Sequence, residues 1–404
     1  MLGIKNRQIP KDKQRESLWN AAITSKYAAV FWRLPNQIQK NFLVSFDAPQ
    51  ATKVDFEELP SGFVFSPFTN NDNQQALFFK ADIHYTFDEK DELEEAIIPA
   101  EINPSFQKFN SNLAFKEHFS SENDKIIVDT QQDAIKKVAF EALVNKGIES
   151  IQKGEFQKVV LSRTKAITLP QNFNVVDNFD RLCDKYPSAF ISLIYLPETG
   201  VIWLGASPEI LVSQDANGIF KTMALAGTQS AYDDKGEQIK TSEALWRQKE
   251  IEEQALVSRY IINCLKKIRV REFEEDGPKT MVAGNLMHLR TDFLIDTNAI
   301  NFPQLATVMI ELLHPTSAVC GMPKEPATQF ILQNEGYDRD FYSGFLGSVN
   351  IQNESHIFVN LRTMKIDGSS ALLYAGCGIT ADSSPEKEWQ ETQIKCLTLA
   401  NVLK

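Results

Sequence analysis

The run AFISLIYLPETGVIWLGASPEILVS, residues 189–213, constrains the fold more than any other stretch of this chain. Two apolar segments flank the turn PETG, which reads as a β-hairpin. The pattern recurs on both sides of it. Short strand-like runs KYAAVFWRL, NFLVSF and GFVFSPF come first, separated by loops rich in Asn, Gln, Asp and Pro. A helix, DAIKKVAFEALVNKGIESIQKG, leads into the strand QKVVLSRTKAITL, and KTMALAGTQ follows the hairpin. A long helix is expected from about Ser242 to Lys267, then a mixed region, then three strands around FLGSVNI, IFVNLRTMKI and LLYAGCGI. Strands follow one another in hairpin succession rather than alternating one for one with helices. That order favours an α+β chain with antiparallel sheets over a doubly wound nucleotide fold. No internal repeat and no low-complexity linker divides the chain.

At 404 residues, 43% hydrophobic and 24% charged, the chain can bury a large core as one large domain or two small ones. Its net charge of -11 argues against broad nucleic-acid or anionic-membrane binding, and acidic substrates would need local cationic help. No apolar run reaches the roughly 18 residues of a membrane span, and MLGIKNRQIPKDKQRES lacks the apolar core of a signal peptide. A cytoplasmic location is the expectation. The cysteines Cys183, Cys264, Cys320, Cys377 and Cys396 are scattered, with no CxxC pair, and read as reduced packing residues. The histidines show no HxxxH or HExxH spacing, so a histidine-ligated metal is not expected.

Several polar residues stand where solvent alone does not explain them. In SSPEKEWQETQIKCLTLANVLK, Ser384 can N-cap a helix that Pro385 begins, with Trp389, Ile394, Leu397 and Ala400 marking its apolar side. Glu388, Glu391 and Lys395 stack along one stripe of that helix, directly after the glycines Gly376 and Gly378. Two carboxylates and a lysine near glycines suggest a small anion held through a cation; a solvated helix face is the plainer alternative. Glu250 and Glu253 repeat the carboxylate spacing in the long helix, and two such helices could hold one Mg²⁺ between them. Lys158 opens an apolar strand, where burial can make a lysine a general base, unless it snorkels to water. Glu209, in GASPEILV, is a candidate general acid if the turn aims it into a cleft, and an ordinary turn glutamate if not. The loop LLHPTSAVCGMPKEPA is expected to wrap a ligand. Arg362, in NLRTMKI, could fork a carboxylate, with His288 as an uncharged donor candidate or a satisfied core histidine.

In this order and spacing, KVVLSR, GASPE, ALAGT, KEIEE, MHLRT, LHPTSAVCG, RDFYSGFLG, LRTMK, YAGCGI and EKEWQETQIK resemble the chorismate-utilising enzymes. These include isochorismate and salicylate synthases and the large subunits of anthranilate and aminodeoxychorismate synthases. The resemblance covers about residues 135–404, the chorismate-binding catalytic region, and implies that residues 1–134 are a divergent part of the same fold. It implies a single large α+β domain of two antiparallel sheets in a sandwich with helices outside, like anthranilate synthase component I.

For the site, the resemblance implies Lys158 as the base that activates water for attack at C2 of chorismate. It implies Glu209 as the acid that protonates the leaving C4 hydroxyl. Glu253 and Glu391 match the principal Mg²⁺ ligands, assisted by Glu250 and Glu388. Tyr342, Arg362 and Lys395 match residues around the enolpyruvyl group and carboxylates, Gly376 and Gly378 offer backbone contacts, His288 lies near the ring, and Gly227 and Thr228 form a binding strand. Ammonia-using members commonly carry glutamine at the base, so Lys158 points to water, and Ala226 stands where aminodeoxychorismate synthases carry a lysine. Ala318 stands where salicylate synthases usually have threonine. The expectation is a Mg²⁺-dependent isochorismate-forming isomerase serving menaquinone or siderophore synthesis, monomeric and without a glutaminase subunit. Salicylate formation with pyruvate release, or a chorismate-binding subunit without turnover, are the alternatives. The chain departs from the family at Gln254, often histidine, Gln229, often arginine, and Lys387, commonly glycine, which bears on fine geometry.

Overall fold

The computed structural model describes residues 14–69, 75–113, 127–128, 130–233, 235–283 and 286–403. The segment read above for a signal peptide lies mostly outside them. Two antiparallel sheets account for the strands, one of eleven and one of nine. The eleven-stranded sheet centres on the hairpin Phe190–Leu196 and Val201–Ser207, paired from Leu196↔Val201 to Phe190↔Ser207. Ala28–Arg33 extends it on one side, and Thr363–Asp367, Ser370–Ile379 and Lys158–Thr168 extend it on the other. The nine-stranded sheet runs from Glu274–Ala283 through Leu286–Asp296, Ile219–Ser230, Ile210–Gln214, Glu354–Val359 and Phe345–Ile351 to Gly62–Ser66 and its neighbours.

Alternation along the strands explains the layering. In Phe190–Leu196, Ile191, Leu193 and Tyr195 face one way, into a core shared with the helices Gln14–Ser25, Pro104–Ser111 and Val175–Lys185. Phe190, Ile194 and Leu196 face the other sheet. Aromatic pairs close the space between sheets: Phe190 stacks on Phe358 with centroids 4.1 Å apart, and Trp32 lies 5.6 Å from Phe63. The helices Gln248–Lys267 and Leu305–Leu313 cover the outer face of the second sheet. The architecture is the expected α+β sandwich with helices outside.

Three sequence expectations change. The long helix begins at Gln248 rather than Ser242, with a 3₁₀ turn at Thr241–Glu243, because Arg247 takes the N-cap position and its N–H donates to Glu250. IFVNLRTMKI is two strands, Glu354–Val359 and Thr363–Asp367, which belong to different sheets. The break falls at Arg362, whose φ of 48° is left-handed, so Arg362 is a crossover residue and not a strand residue. On the final helix, Pro385–Ala400, Ile394 and Leu397 are exposed, while Glu388, Trp389, Thr392, Cys396 and Leu399 face inward. That inner face is mixed: Trp389, Cys396 and Leu399 join apolar cores, Glu388 pairs with Lys249 and Thr392 accepts from Arg163 Nε, while Glu391 and Lys395 beside them line the cleft.

The five cysteines are buried and free. Among the described residues no helix is long and apolar enough to cross a membrane.

Candidate active site

Two of the places where the chain crosses between the sheets lie side by side, and the cleft is there. Ser207 ends a strand of the larger sheet and Ile210 begins one of the smaller, leaving Glu209 in the crossing; Arg362 occupies the reverse crossing. Backbone bonds stitch the two crossings together: Ala206 N donates to Arg362 O at 3.0 Å, and Val359 N to Glu209 O at 3.0 Å. Both side chains are thereby fixed where strand pairing stops and a ligand can enter.

The cleft has an empty volume, including its open mouth, of about 760 Å³, within the size range of small-molecule sites. Of the residues expected to form the site, Lys158, Glu209, Gly227, Thr228, Glu253, His288, Ala318, Tyr342, Arg362, Gly376, Gly378, Glu391 and Lys395 line it. Glu250 and Glu388 do not. Glu250 accepts from the N–H of Arg247 at 3.0 Å and so serves its own helix terminus. Glu388 is 2% exposed and pairs with Lys249 at 2.9 Å, leaving its Oε2 buried without a hydrogen-bond partner.

Lys158 is 1% exposed, so it does not snorkel; its Nζ lies 2.7 Å from Glu253 Oε1. Gly378 makes that pair possible, since a Cβ there would stand 2.4 Å from Glu253 Oε1 and 3.0 Å from Lys158 Cε. Burial would raise the Glu253 carboxyl, but Lys158, with Lys249 and Lys395, holds it below its ordinary range. Burial also works against the Lys395 ammonium, yet Glu391, 2.7 Å away, takes its pKa up to about 12. Lys395 also donates to Gly376 O at 2.8 Å.

Glu209, 4% exposed, behaves in the opposite way. Burial pushes its pKa up to about 8, against the pull of Lys158, Lys395 and Arg362. It therefore holds a proton at neutral pH. Burial lowers Arg362 to about 10, with Tyr186 and Glu209 opposing. Its Nη2 donates to His288 Nε2 at 2.6 Å, which makes Nε2 an acceptor and places the imidazole proton on Nδ1, 3.0 Å from Gly227 O. Burial, with Arg362 and Lys395, keeps His288 neutral. His288 is thus the satisfied histidine of the two alternatives: its proton goes to the backbone, and it orients the guanidinium. Burial raises Tyr342 to about 12, and its ring stacks on Tyr374 with centroids 5.1 Å apart.

Sequence reasoning missed Lys249, which lies hidden among the charges of RQKEIEE, and it missed the cleft-lining Tyr374, two positions before Gly376 and on the same face of its strand. The departing residue Gln254 is buried and donates to Ala224 O at 3.2 Å and Thr291 Oγ1 at 3.0 Å, which makes it a packing residue of the helix-to-sheet contact.

A hairpin-rich sandwich whose cleft gathers a proton-bearing carboxyl from a crossover, a buried lysine from a strand and lysine-paired carboxylates from two helices defines an enzyme for small anionic substrates. The sequence model of the chorismate binding enzymes matches residues 12–404, and the chain belongs to that family. It is similar to the isochorismate synthase EntC of Escherichia coli K12, 29% identical over 309 residues, 74% of this chain and 76% of that protein. The menaquinone-specific isochorismate synthase MenF of Escherichia coli has a similar structure, with TM-score 0.73 and 21% identity over 99% of this chain and 92% of that one. Anthranilate synthase component I of Streptococcus pneumoniae shares the fold at TM-score 0.65 and 21% identity, over 88% of this chain and 83% of that one.

Proposed function

We propose that this protein is an isochorismate synthase, an isomerase that moves the hydroxyl of chorismate from C4 to C2 through attack of water. One observation carries the reading: a buried lysine and a buried carboxyl that keeps its proton line the same cleft. Glu209 is suited to give a proton to the departing C4 oxygen, and Lys158, as the neutral amine, is suited to take one from the incoming water. Lys395 and Arg362 supply the local cationic charge that an acidic protein needs to hold a dicarboxylate, and the small side chain of Ala318 fits a site that stops at isochorismate.

The donor set fits a hard divalent cation. The orphaned Oε2 of Glu388, with the cleft carboxylates Glu253 and Glu391, offers the oxygen ligands Mg²⁺ takes. Among the described residues no three such groups are gathered at ligand distance, because each carboxylate is held by its own lysine. Glu253 and Glu391 would hold Mg²⁺ there, and the ion would supply the positive charge that offsets a substrate carboxylate. Glu250 would assist only indirectly, through the helix end it caps. The buried free cysteines support a reducing compartment, and we place the protein in the cytoplasm as a monomer that needs no glutaminase subunit. Its product would serve menaquinone or siderophore synthesis.

The test is product analysis by chromatography after incubation with chorismate and Mg²⁺, with and without ammonium, and with a chelator control. Magnesium-dependent isochorismate alone is expected. Salicylate with pyruvate would move the assignment one branch over, anthranilate would refute the water reading, and binding without turnover would favour a non-catalytic subunit. Lys158→Ala and Glu209→Gln are each expected to lose about 10²-fold or more in kcat with KM largely kept. Either variant turning over at the wild-type rate would remove that residue from its role.

A further inference from the structure

The strand Lys158–Thr168 pairs along one edge with Ser370–Ile379 from Val159 to Thr168. Along its other edge, Gly321–Met322 pairs with Lys158 and Val159, Val160 N donates to Cys320 O at 2.8 Å, and Ile127–Val128 pairs with Ile167 and Thr168. Between them, two buried side chains occupy the edge. Ser162 N donates to Glu335 Oε1 at 2.7 Å, and Val160 O accepts from Arg339 Nη2 at 2.7 Å. Glu335 and Arg339 are themselves an ion pair, with side chains 1% and 2% exposed, and Arg339 Nε donates to Glu335 Oε2 at 2.8 Å. A carboxylate takes the N–H and a guanidinium takes the C=O, as a neighbouring strand would.

The pair reaches further than a strand would. Arg339 Nη1 donates to Val319 O at 2.9 Å, so one planar guanidinium ties the strand that begins at Lys158 to the loop that carries Ala318. Val160 and Val319 both line the cleft, on either side of this tie. Ser162 Oγ lies 3.1 Å from both Glu335 oxygens and 2.6 Å from Tyr337 Oη. Glu335 can only accept, so Ser162 gives its proton to the carboxylate and Tyr337 donates to Ser162. Every group in the cluster is thereby directed.

We infer that Glu335 and Arg339 are positioning residues for the reaction, fixing the separation between the Lys158 strand and the Ala318 wall from behind the cleft. Neither lines the cleft, so neither is a catalytic residue. A buried ion pair is a poor stabiliser relative to apolar residues of similar volume, whereas its planar, multiply bonded geometry specifies distance well. The inference rests on the isochorismate synthase reading for its kinetic arm only.

The test compares Arg339→Lys with the apolar pair Glu335→Leu/Arg339→Met, reading kcat, KM for chorismate, melting temperature and backbone hydrogen exchange by mass spectrometry. Lysine keeps the charge but cannot span both carbonyls and the carboxylate. Expected in both variants is faster exchange confined to peptides covering 158–164 and 316–322. The expected kinetic result is a fall in kcat of about 10²-fold, the scale of a misplacement of about 1 Å, with KM changed much less. An unchanged kcat with unchanged exchange would overturn the inference. So would faster exchange across the whole molecule with kcat per folded molecule preserved, the mark of a purely structural pair. If wild-type protein failed to turn over chorismate, the functional reading would fall, and the exchange arm would still decide whether this pair holds the two walls.

Discussion

Glu209 carries the largest consequence of any single residue. Its pKa of about 8 lies above the ordinary 4.5, so the folded protein binds this proton more tightly than the unfolded chain does. Between about pH 4.5 and 8 the group therefore makes the fold less stable as pH rises, on the order of 1.4 kcal/mol per pH unit. Glu209→Gln removes that dependence. Its melting temperature is expected to gain on wild type as the pH is raised from about 5 to about 9, and a gap that stays constant with pH would contradict the buried, protonated carboxyl. A second residue-scale expectation concerns product. Ala318→Thr should add pyruvate release, read as salicylate in the chromatogram, and its absence would remove Ala318 as the discriminating position. Lys158 and Glu209 were legible in the sequence because each is polar in an apolar setting. Lys249 was not, since a lysine among glutamates looks like any solvated helix face, and its partner Glu388 comes from a helix distant in sequence.

At the scale of elements, the final helix and the strand before it present the charged wall of the cleft. Gly378 lies on that strand at a backbone angle open to alanine, so Gly378→Ala should fold while its Cβ splits the Lys158–Glu253 pair. Loss of about 10²-fold in kcat is expected, together with a lowered melting temperature from the two buried charges it separates. Lys249→Met leaves the 2% exposed Glu388 carboxylate without its cation, which should cost about 3 kcal/mol in denaturant unfolding. Adding Glu388→Gln to that variant should restore most of the loss, and failure to do so would show that the lysine acts through something other than this pair. Periodicity revealed that these elements exist and placed Trp389 and Ala400 correctly on the inner side of Pro385–Ala400, but Ile394 and Leu397 are exposed while Cys396 and Leu399 take the core positions. The split of IFVNLRTMKI was hidden because an apolar run does not record a sheet change, which here depends on the left-handed backbone at Arg362.

Across the whole molecule, the stretches on either side of residue 134 share both sheets. Ala28–Arg33 pairs with Phe190–Leu196, and Gly62–Ser66 pairs with Phe345–Ile351, so early strands complete both sheets. Trp32, Phe63, Phe65 and Phe79 pack in the same core as Trp203, Leu346 and Phe358. A fragment spanning 135–404 is expected to bind a hydrophobic dye and to lack a cooperative melt; a sharp, wild-type-like transition would refute this shared core. The early strands carried no chemical motif because their part is to fill the space between sheets. The two sheet crossings have a consequence for biogenesis. Glu209 is held by the backbone of Val359 and Arg362 by that of Ala206, and Lys158 finds its counter-charge on a helix made later in translation. Contacts so distant in sequence are slow to close. A chain that has not yet closed these contacts therefore holds the chemical groups but not their arrangement.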